Sequence, residues 1–300
     1  FADALHELKP DLLVVLGDRF EIFSAASAAM IAKIPVVHLH GGEATEGAFD
    51  ESIRHSITKM SHLHFTATEE YRRRVIQLGE QPDRVFNVGA AGIDNIKRLK
   101  LLSKQEFEQS INFKLGKKNL LVTFHPVTLE DTTSKQQFSD LLTALNKLED
   151  THIIFTKANA DTDGRVINKM IDKYVLEQPE TTIAFNSLGQ LRYLSAMQYV
   201  DGVVGNSSSG LLEAPSFKIG TVNIGDRQRG RVKASSIIDS ISTEESVASA
   251  LKKLFSQEFS NSVKQTVSPF GNGGVAEKIV KIIDSFPLDD ILKKKFYNEI

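Results

Sequence analysis

Short runs of β-branched and other apolar residues alternate along this chain with longer amphipathic segments. The short runs predict strands at Leu12–Leu16, Val36–His40, Leu63–Thr66, Arg84–Val88, Leu120–Phe124, Ile153–Thr156, Thr182–Phe185, Gly202–Val204 and Thr221–Ile224. The amphipathic segments predict helices at Phe20–Ala32, Asp50–Met60, Glu69–Leu78, Ser134–Leu148, Arg165–Leu176 and Leu188–Met197. Strands separated by helices are typical of βαβ units, whose parallel sheets are covered by helices on both faces. The pattern therefore predicts an α/β fold.

The predicted units fall into two series, separated by the helical connector Gly89–Lys118. We therefore predict two Rossmann-like domains, 1–97 and 98–285, whose parallel sheets face each other across a cleft. The tail 286–300 is expected to be a crossing helix or a surface segment that packs back on the first domain. The chain begins at Phe1 inside a predicted helix, so we interpret the first domain as incomplete at its N-terminus.

Composition narrows the possible functions. A chain of 300 residues with 41% hydrophobic and 25% charged residues can bury a large core. The net charge of −2, with acidic and basic residues well mixed, argues against a nucleic-acid partner. The absence of cysteine excludes disulfides, thiolate metal sites and a cysteine nucleophile. No apolar run reaches the ~18 residues that would span a membrane, so we expect a cytoplasmic protein without a membrane partner.

The run Asp201–Gly210, DGVVGNSSSG, is the most informative motif. It ends a predicted strand and starts a helix on small hydroxyl residues, with Glu213 in that helix. The free backbone N–H groups, the hydroxyls of Ser207 and Ser208 and the positive end of the helix dipole suit a phosphate. An ordinary serine N-cap would produce the same pattern. The other motifs of the chain favour the phosphate.

Polar residues follow the first predicted strand at the edge where ligands bind in such sheets. Asp18 comes directly after Leu12–Leu16 and could belong to a site or cap the next helix. Arg19 could hold a phosphate through two hydrogen bonds or lie in solvent.

The second predicted strand ends in a similar polar turn. Alternation places His38 and His40 on one face of the strand, and Glu43 follows two glycines. Two histidines and one carboxylate are compatible with a metal site. Glycines that let the backbone press against a ligand are the more economical interpretation, and we predict no metal.

Asp50 and Arg54 are four residues apart on the next predicted helix, with the acid first. A surface salt bridge would explain this spacing. The nearness of the pair to the two glycines favours a role in the site.

Polar residues follow the later strands as well. His125 comes directly after Leu120–Phe124, and the loop Lys157–Asp161 and Ser187 follow the next two strands. The loop Gly225–Arg231 contains three arginines and is either a solvated turn or an anion clamp. The first predicted domain thus supplies carboxylates and the second supplies phosphate-binding groups. This division suits a nucleoside diphosphate whose attached group is acted on by the acids.

Together these motifs resemble the hydrolysing UDP-N-acetylglucosamine 2-epimerases over essentially the whole chain. The matching segments are GDRFE (17–21), HGGE (40–43), DESIRHSITK (50–59), FHPVT (124–128), the Asn159 loop, GNSSSG (205–210) and GDRQRGR (225–231). The resemblance implies a GT-B-like fold and a homo-oligomer, a dimer or tetramer. It also implies conversion of UDP-N-acetylglucosamine and water to N-acetylmannosamine and UDP, for sialic-acid-type sugars. The implied route is elimination of UDP to a glycal followed by hydration with inversion at C2, without a metal or other cofactor.

The resemblance also implies roles for individual residues. The catalytic candidates are Asp18, Glu43, Asp50, Arg54 and His125, and which carboxylate acts as base stays open. The candidates for binding UDP or the sugar are Arg19, His40, Asn159, Ser187, Ser207, Ser208, Glu213 and Arg227.

Three alternatives stay open at this point. Related enzymes act on 2,4-diacetamido-2,4,6-trideoxy sugars carried by UDP or GDP, on the way to legionaminic acid. A GT-B glycosyltransferase would use the same nucleotide cleft. A non-catalytic module that binds sugar nucleotides is the third alternative.

Overall fold

The computed structural model describes residues 1–44, 50–126, 133–158 and 162–298, and of residues 162 and 163 it describes only the backbone. The chain divides into two compact units, each with one sheet. The first unit comprises Phe1–Asp94, Arg229–Val232 and Pro269–Ile300, and the second comprises Asn95–Gln228 and Lys233–Ser268.

The sheet of the first unit is parallel and follows chain order. Its strands are β1 (Leu13–Leu16), β2 (Val36–Leu39), β3 (Leu63–Thr66) and β4 (Val85–Asn87). Since all the strands run in one direction, the polar turns after β1 and β2 lie at the same edge of the sheet. This is the edge at which the sequence predicted a site.

The sheet of the second unit is also parallel and has the order β10-β9-β8-β5-β6-β7. Its strands are β5 (Lys118–Thr123), β6 (Thr151–Thr156), β7 (Thr182–Phe185), β8 (Gly202–Gly205), β9 (Gly220–Ile224) and β10 (Ile237–Ser240). The direction in which strands are added reverses between β5 and β8, which pair from Leu120–Gly202 to Thr123–Gly205. Open α/β sheets bind ligands beyond the carboxyl ends of the strands at such a reversal.

Helices connect the strands in both units. They are α1 (Ala2–Leu8), α2 (Phe20–Ile31), α3 (Asp50–Met60), α4 (Glu69–Gln77), α5 (Gly92–Arg98), α6 (Lys104–Ile111), α7 (Ser134–Leu145), α8 (Thr162–Glu177), α9 (Gly189–Ala196), α10 (Ser209–Leu212), α11 (Glu244–Leu254), α12 (Gln257–Lys264) and α13 (Val275–Ser285). Short 3₁₀ helices lie at Pro82–Arg84 and Ala214–Phe217. Within the described residues, no helix is long and apolar enough to span a bilayer. The nine predicted strands are confirmed to within two residues at their ends, and β10 is an addition.

Helix α13 belongs to the first unit, whereas the sequence placed 98–285 in the second domain. Its residues Val275 and Ile279 pack in one cluster with Val37 of β2 and Phe65 of β3. Its first turn is held by Asp94, whose carboxylate oxygens accept hydrogen bonds from the N–H groups of Val275 and Ala276 at 3.0 and 2.9 Å. Burial of the apolar face of α13 and this remote cap attach the helix to the first unit.

The tail after α13 also belongs to the first unit, and its described part has no helix. The N–H of Tyr297 donates to the carbonyl of Gly79 at 2.9 Å. The ammonium of Lys294 lies 2.7 Å from the buried carboxylate of Glu80, which also pairs with Lys59 at 2.6 Å. The tail is therefore a docked segment, which was one of the two predicted forms.

Candidate functional site

Three of the predicted catalytic residues meet in the first unit. Gly17 turns the chain after β1 with φ +85°, and the carboxylate of Asp18 accepts a hydrogen bond from Nη2 of Arg54. Nη1 of Arg54 donates to the backbone carbonyl of Glu43 at 2.7 Å. Arg54 is only 1% exposed, so the guanidinium in its ion pair with Asp18 is buried. One guanidinium thereby joins the turn after β1 to the turn after β2.

His40 holds the side chain of Glu43. Its Nδ1 lies 2.8 Å from Oε1 of Glu43, and its Nε2 accepts the backbone N–H of Ala91 at 3.3 Å. This arrangement places the imidazole proton on Nδ1, which donates to the carboxylate. The backbone of His40 has φ +65°, in the left-handed region that non-glycine residues seldom adopt. Both ring nitrogens are engaged, so His40 positions Glu43.

The surroundings of Glu43 keep its carboxylate ionised. Burial alone would raise its pKa, but the hydrogen bond from His40 and the positive charges of Arg231 and Arg54 outweigh this effect and lower the pKa. Nη1 of Arg231 lies 3.9 Å from Oε2 of Glu43. Arg231 was not among the predicted site residues, although it is the third arginine of the loop GDRQRGR.

Asp50, another predicted catalytic residue, is the first residue of α3 and lies about one helical turn before Arg54. It is half-buried. The helix thus carries Asp50 and the buried Arg54 toward the same end of the first unit.

The geometry of His38 does not support the alternative of a metal site. The Nε2–H of His38 lies 2.9 Å from the carbonyl of Gly17, and Nδ1 lies 3.2 Å from Oγ1 of Thr58. The ring is fully buried. Within the described ranges, no group of three His, Asp or Glu residues could hold a metal ion. His38 instead braces the turn that precedes Asp18.

Two buried histidines predict an acid-sensitive fold. Burial lowers the pKa of His38 from 6.5 to about 3 and that of His62 to about 4. The unfolded chain takes up these protons near pH 6.5 and the folded chain does not, so the stabilisation is complete above that pH and is lost as the pH falls toward 4. We expect the free energy of unfolding, measured by urea denaturation, to fall by about 5 kcal/mol between about pH 7 and pH 4.5, with about half of the loss from each histidine. His62→Gln should flatten this dependence, and a wild-type stability that is equal at both pH values would contradict it.

In the second unit, Asn206 joins the ends of β5 and β8. Its side chain is fully buried; Oδ1 accepts the N–H of His125 at 2.7 Å, and Nδ2 donates to the carbonyl of His125 at 2.8 Å. The backbone carbonyl of Asn206 accepts hydrogen bonds from Gln228 at 2.8 Å and Arg227 at 3.2 Å. Asn206 therefore fixes the backbone of the predicted catalytic residue His125 beside the serine turn, at the reversal point of the sheet.

The serine turn leads into a shorter helix than the sequence predicted, since α10 covers only Ser209–Leu212. Ser208 is its N-cap residue and makes no side-chain capping bond. Ser207 accepts the N–H of Ser209 at 3.4 Å, a long contact. Ordinary capping therefore does not account for the hydroxyl of Ser208, and phosphate binding by this turn stays a prediction.

A cavity of about 310 Å³ opens beside this turn in the second unit, and Ser207, Ser209 and Tyr193 lie in its wall. Two buried polar atoms in this wall, Tyr193 Oη and Ser209 Oγ, lack a well-formed hydrogen bond among the described residues, as does Oε2 of Glu213, which is not part of the wall. Burial raises the pKa of Glu213 and that of Tyr193. Buried polar groups without well-formed hydrogen bonds are uncommon, and those beside a cavity are candidates to bind a polar ligand. Tyr193 reaches the cavity from α9, and nothing in the sequence singled it out.

Of the four remaining predicted residues, Ser187 and Arg227 adjoin the cluster of the second unit, whereas Arg19 stands apart from both clusters. Arg19 is exposed and lies 3.5 Å from Glu21. Ser187 is exposed at the same cavity, where it accepts the N–H of Gly189 at 3.1 Å. Arg227 is an exposed residue that hydrogen-bonds the turn at Asn206. Asn159 lies outside the described residues.

Comparisons with known proteins identify the family. The family model described as UDP-N-acetylglucosamine 2-epimerase matches residues 1–284. A Campylobacter jejuni protein named GDP/UDP-N,N'-diacetylbacillosamine 2-epimerase (hydrolyzing) is 44% identical over 99% of this chain and 77% of its own length. Polysialic acid biosynthesis protein P7 of Escherichia coli is 42% identical over 95% and 73%. A Legionella pneumophila protein, UDP-N,N'-diacetylbacillosamine 2-epimerase (hydrolyzing), is 35% identical over 98% and 76%.

Solved structures agree on the fold. The crystal structure of UDP-GlcNAc 2-epimerase from Neisseria meningitidis bound to UDP-GlcNAc matches with a TM-score of 0.80 at 20% identity, covering 95% of this chain and 79% of that one. The predicted α/β, GT-B-like fold class is thereby confirmed. Both the family model and the relatives at 35–44% identity lead to the same assignment. The chain belongs to the UDP-N-acetylglucosamine 2-epimerase family, as a member of its group of hydrolysing enzymes.

Proposed function

We propose that this protein hydrolyses a nucleotide-linked 2,4-diacetamido-2,4,6-trideoxy sugar with inversion at C2 and releases the nucleoside diphosphate. The observation that carries the chemistry is the cluster of Asp18, Arg54 and Glu43 at one sheet edge of the first unit. The carboxylates of Asp18 and Glu43, whose turns are joined by Arg54, suit proton transfers at a sugar carbon, and Asp50 lies one helical turn from Arg54.

The reaction balances with one water molecule. Removal of the C2 proton and cleavage of the C1–O bond release the nucleoside diphosphate and leave a C1–C2 double bond. Water then adds its hydroxyl to C1, and a proton returns to C2 on the opposite face. We assign the proton transfers to the carboxylates of Asp18, Glu43 and Asp50 as a set.

The second unit supports binding of the diphosphate. His125 and the serine turn are held side by side through Asn206, and the hydroxyls of Ser207 and Ser208 stand at the reversal point of the sheet. The adjacent cavity and its unsatisfied polar atoms suit the nucleoside.

The relatives favour the diacetamido sugar over N-acetylglucosamine. Two of the three carry N,N'-diacetylbacillosamine in their names, and one of these names gives both GDP and UDP as carriers. The family model, whose description is UDP-N-acetylglucosamine 2-epimerase, keeps UDP-N-acetylglucosamine as the competing substrate.

A product assay tests the proposal. The protein is incubated in D₂O with the UDP- and GDP-linked diacetamido sugars and, in parallel, with UDP-N-acetylglucosamine, and the products are followed by NMR. We expect free diacetamido sugar with inverted C2, deuterium at C2 and an equal amount of nucleoside diphosphate. We expect kcat/KM for the preferred diacetamido substrate to exceed that for UDP-N-acetylglucosamine by about 100-fold, since a site built for an acetamido group loses hydrogen bonds with a hydroxyl.

Each other result has a clear meaning. Preference for UDP-N-acetylglucosamine would overturn the sugar assignment, and absence of nucleotide release from any substrate would overturn the hydrolysing activity. Release that requires an added acceptor would indicate a glycosyltransferase.

Asp50→Asn is the matched variant. We expect it to keep its affinity for UDP and to lose turnover. Unchanged turnover would remove Asp50 from the catalytic set.

A further inference from the structure

Arg231 occupies an unusual place in the chain. It lies in the segment Arg229–Val232, which belongs to the first unit although the residues on either side belong to the second. The N–H of Val232 donates to the hydroxyl of Tyr71 at 3.1 Å, and Tyr71 is buried in the first unit. The segment is therefore anchored where Arg231 faces Glu43.

The contacts of Glu43 are divided among three residues. Oε1 accepts from His40, the backbone carbonyl accepts from Arg54, and Oε2 faces Arg231 at 3.9 Å. A separation of 3.9 Å is too long for a hydrogen bond, so Arg231 acts on Oε2 through its charge. The side chain of Arg231 is 18% exposed, and such partial burial strengthens this interaction relative to one in water.

The guanidinium of Arg231 has unused hydrogen-bonding capacity. Its Nε is buried and has no hydrogen-bond partner within the described part of the chain. Burying a donor without a partner costs free energy, and the electrostatic pairing with Glu43 offsets that cost. Packing of the aliphatic stem alone would not require a partly buried guanidinium beside a carboxylate.

We propose that Arg231 is a positioning residue for the reaction, which keeps the Glu43 carboxylate ionised and oriented. This inference rests on the proposed function, because it gives Glu43 a task in proton transfer. If Arg231 is removed, Glu43 stays buried and loses one of its two nearby arginines. The protonated form of Glu43 then becomes populated at a higher pH.

Kinetics of Arg231→Met test the proposal. We expect the acid limb of the kcat profile to move up by about one pH unit, with KM for the nucleotide sugar within about threefold of wild type. Arg231→Lys keeps the positive charge, so the acid limb of its kcat profile should lie close to the wild-type pH. Lys233→Met is the matched control, since Lys233 pairs with Asp239 at 2.7 Å, and its profile should equal that of the wild type.

A second readout does not depend on turnover. In protein labelled with ¹³C at the glutamate carboxyl carbons, the Glu43 resonance is assigned by its loss in Glu43→Gln. Down to about pH 5, this resonance should keep its ionised position in the wild type and in Arg231→Lys, and should shift toward the protonated position in Arg231→Met.

An unshifted acid limb together with an unshifted Glu43 resonance in Arg231→Met would overturn the positioning role. The proposed function fails separately. In that case the wild type releases no nucleotide, while the resonance experiment still reports whether Arg231 holds Glu43 ionised.

Discussion

Arg54→Met is expected to reduce kcat/KM by at least about 10³-fold, because one guanidinium holds both turns of the first-unit site. The substitution leaves Asp18 without its buried cation and the carbonyl of Glu43 without its donor. Removing one partner of a buried pair destabilises a protein by about 3–5 kcal/mol, and we expect the lower end because the side chain of Asp18 is 27% exposed. Turnover and urea denaturation measure the two effects.

Arg54→Lys separates chemistry from folding. Lysine keeps the positive charge, but its single ammonium nitrogen cannot replace the two guanidinium nitrogens that donate separately to Asp18 and to the carbonyl of Glu43. We expect stability within about 2 kcal/mol of wild type and turnover that is still reduced about 100-fold. Arg73→Met serves as control, since that arginine is exposed on α4 beside Glu69, and it should match the wild type. Near-normal turnover of Arg54→Lys would contradict the bridging role.

The strands could be predicted because continuous apolar runs are characteristic of parallel strands buried on both faces. Strand β10 was not predicted because its apolar run is only two isoleucines long and is followed by Asp239 and Ser240. It lies at the edge of its sheet and pairs only with β9 among the described strands. An edge strand needs less apolar sequence, so its pattern resembles that of a loop.

Residues directly after strands could be predicted as site residues because parallel strands bring their carboxyl ends to one edge. Asp18, Glu43 and His125 were predicted as site candidates in this way. The partner of Arg54 could not be found, because the spacing along the helix pointed to Asp50 and the observed ion pair is with Asp18, thirty-six residues earlier. Arg231 was missed for the same physical reason: its contact with Glu43 depends on tertiary packing.

The assignment of α13 shows a further limit of sequence reasoning. Its amphipathic pattern follows the last elements of the second unit without a break, so chain order placed it there. Its apolar face packs instead on the sheet of the first unit, and Asp94 caps it across a separation of 181 residues. Patterns of apolar residues predict that a helix is half-buried, and they do not tell against which sheet.

Gly205→Ala is expected to have the largest effect in the second unit. Gly205 has φ +131°, and a Cβ there would lie 1.9 Å from the carbonyl oxygen of Thr123. The end of β8 would have to move away from β5, and the side chain of Asn206 would lose its two hydrogen bonds to the backbone of His125. We expect a loss of about 3 kcal/mol in the free energy of unfolding and at least about 100-fold weaker UDP binding, measured by urea denaturation and titration calorimetry.

Gly189→Ala is the matched control for this backbone effect. Gly189 also has a positive φ, +67°, but an added Cβ would meet no atom within 4 Å, so this substitution should cost about 1 kcal/mol of stability.

If Gly205→Ala does not fold, Asn206→Asp tests the same connection between β5 and β8. It keeps the acceptor for the His125 N–H and replaces the donor to the His125 carbonyl with a charged oxygen. We expect this variant to fold and to bind UDP at least about tenfold more weakly. Binding within threefold of wild type in either folded variant would show that the UDP site does not depend on the close approach of β5 and β8.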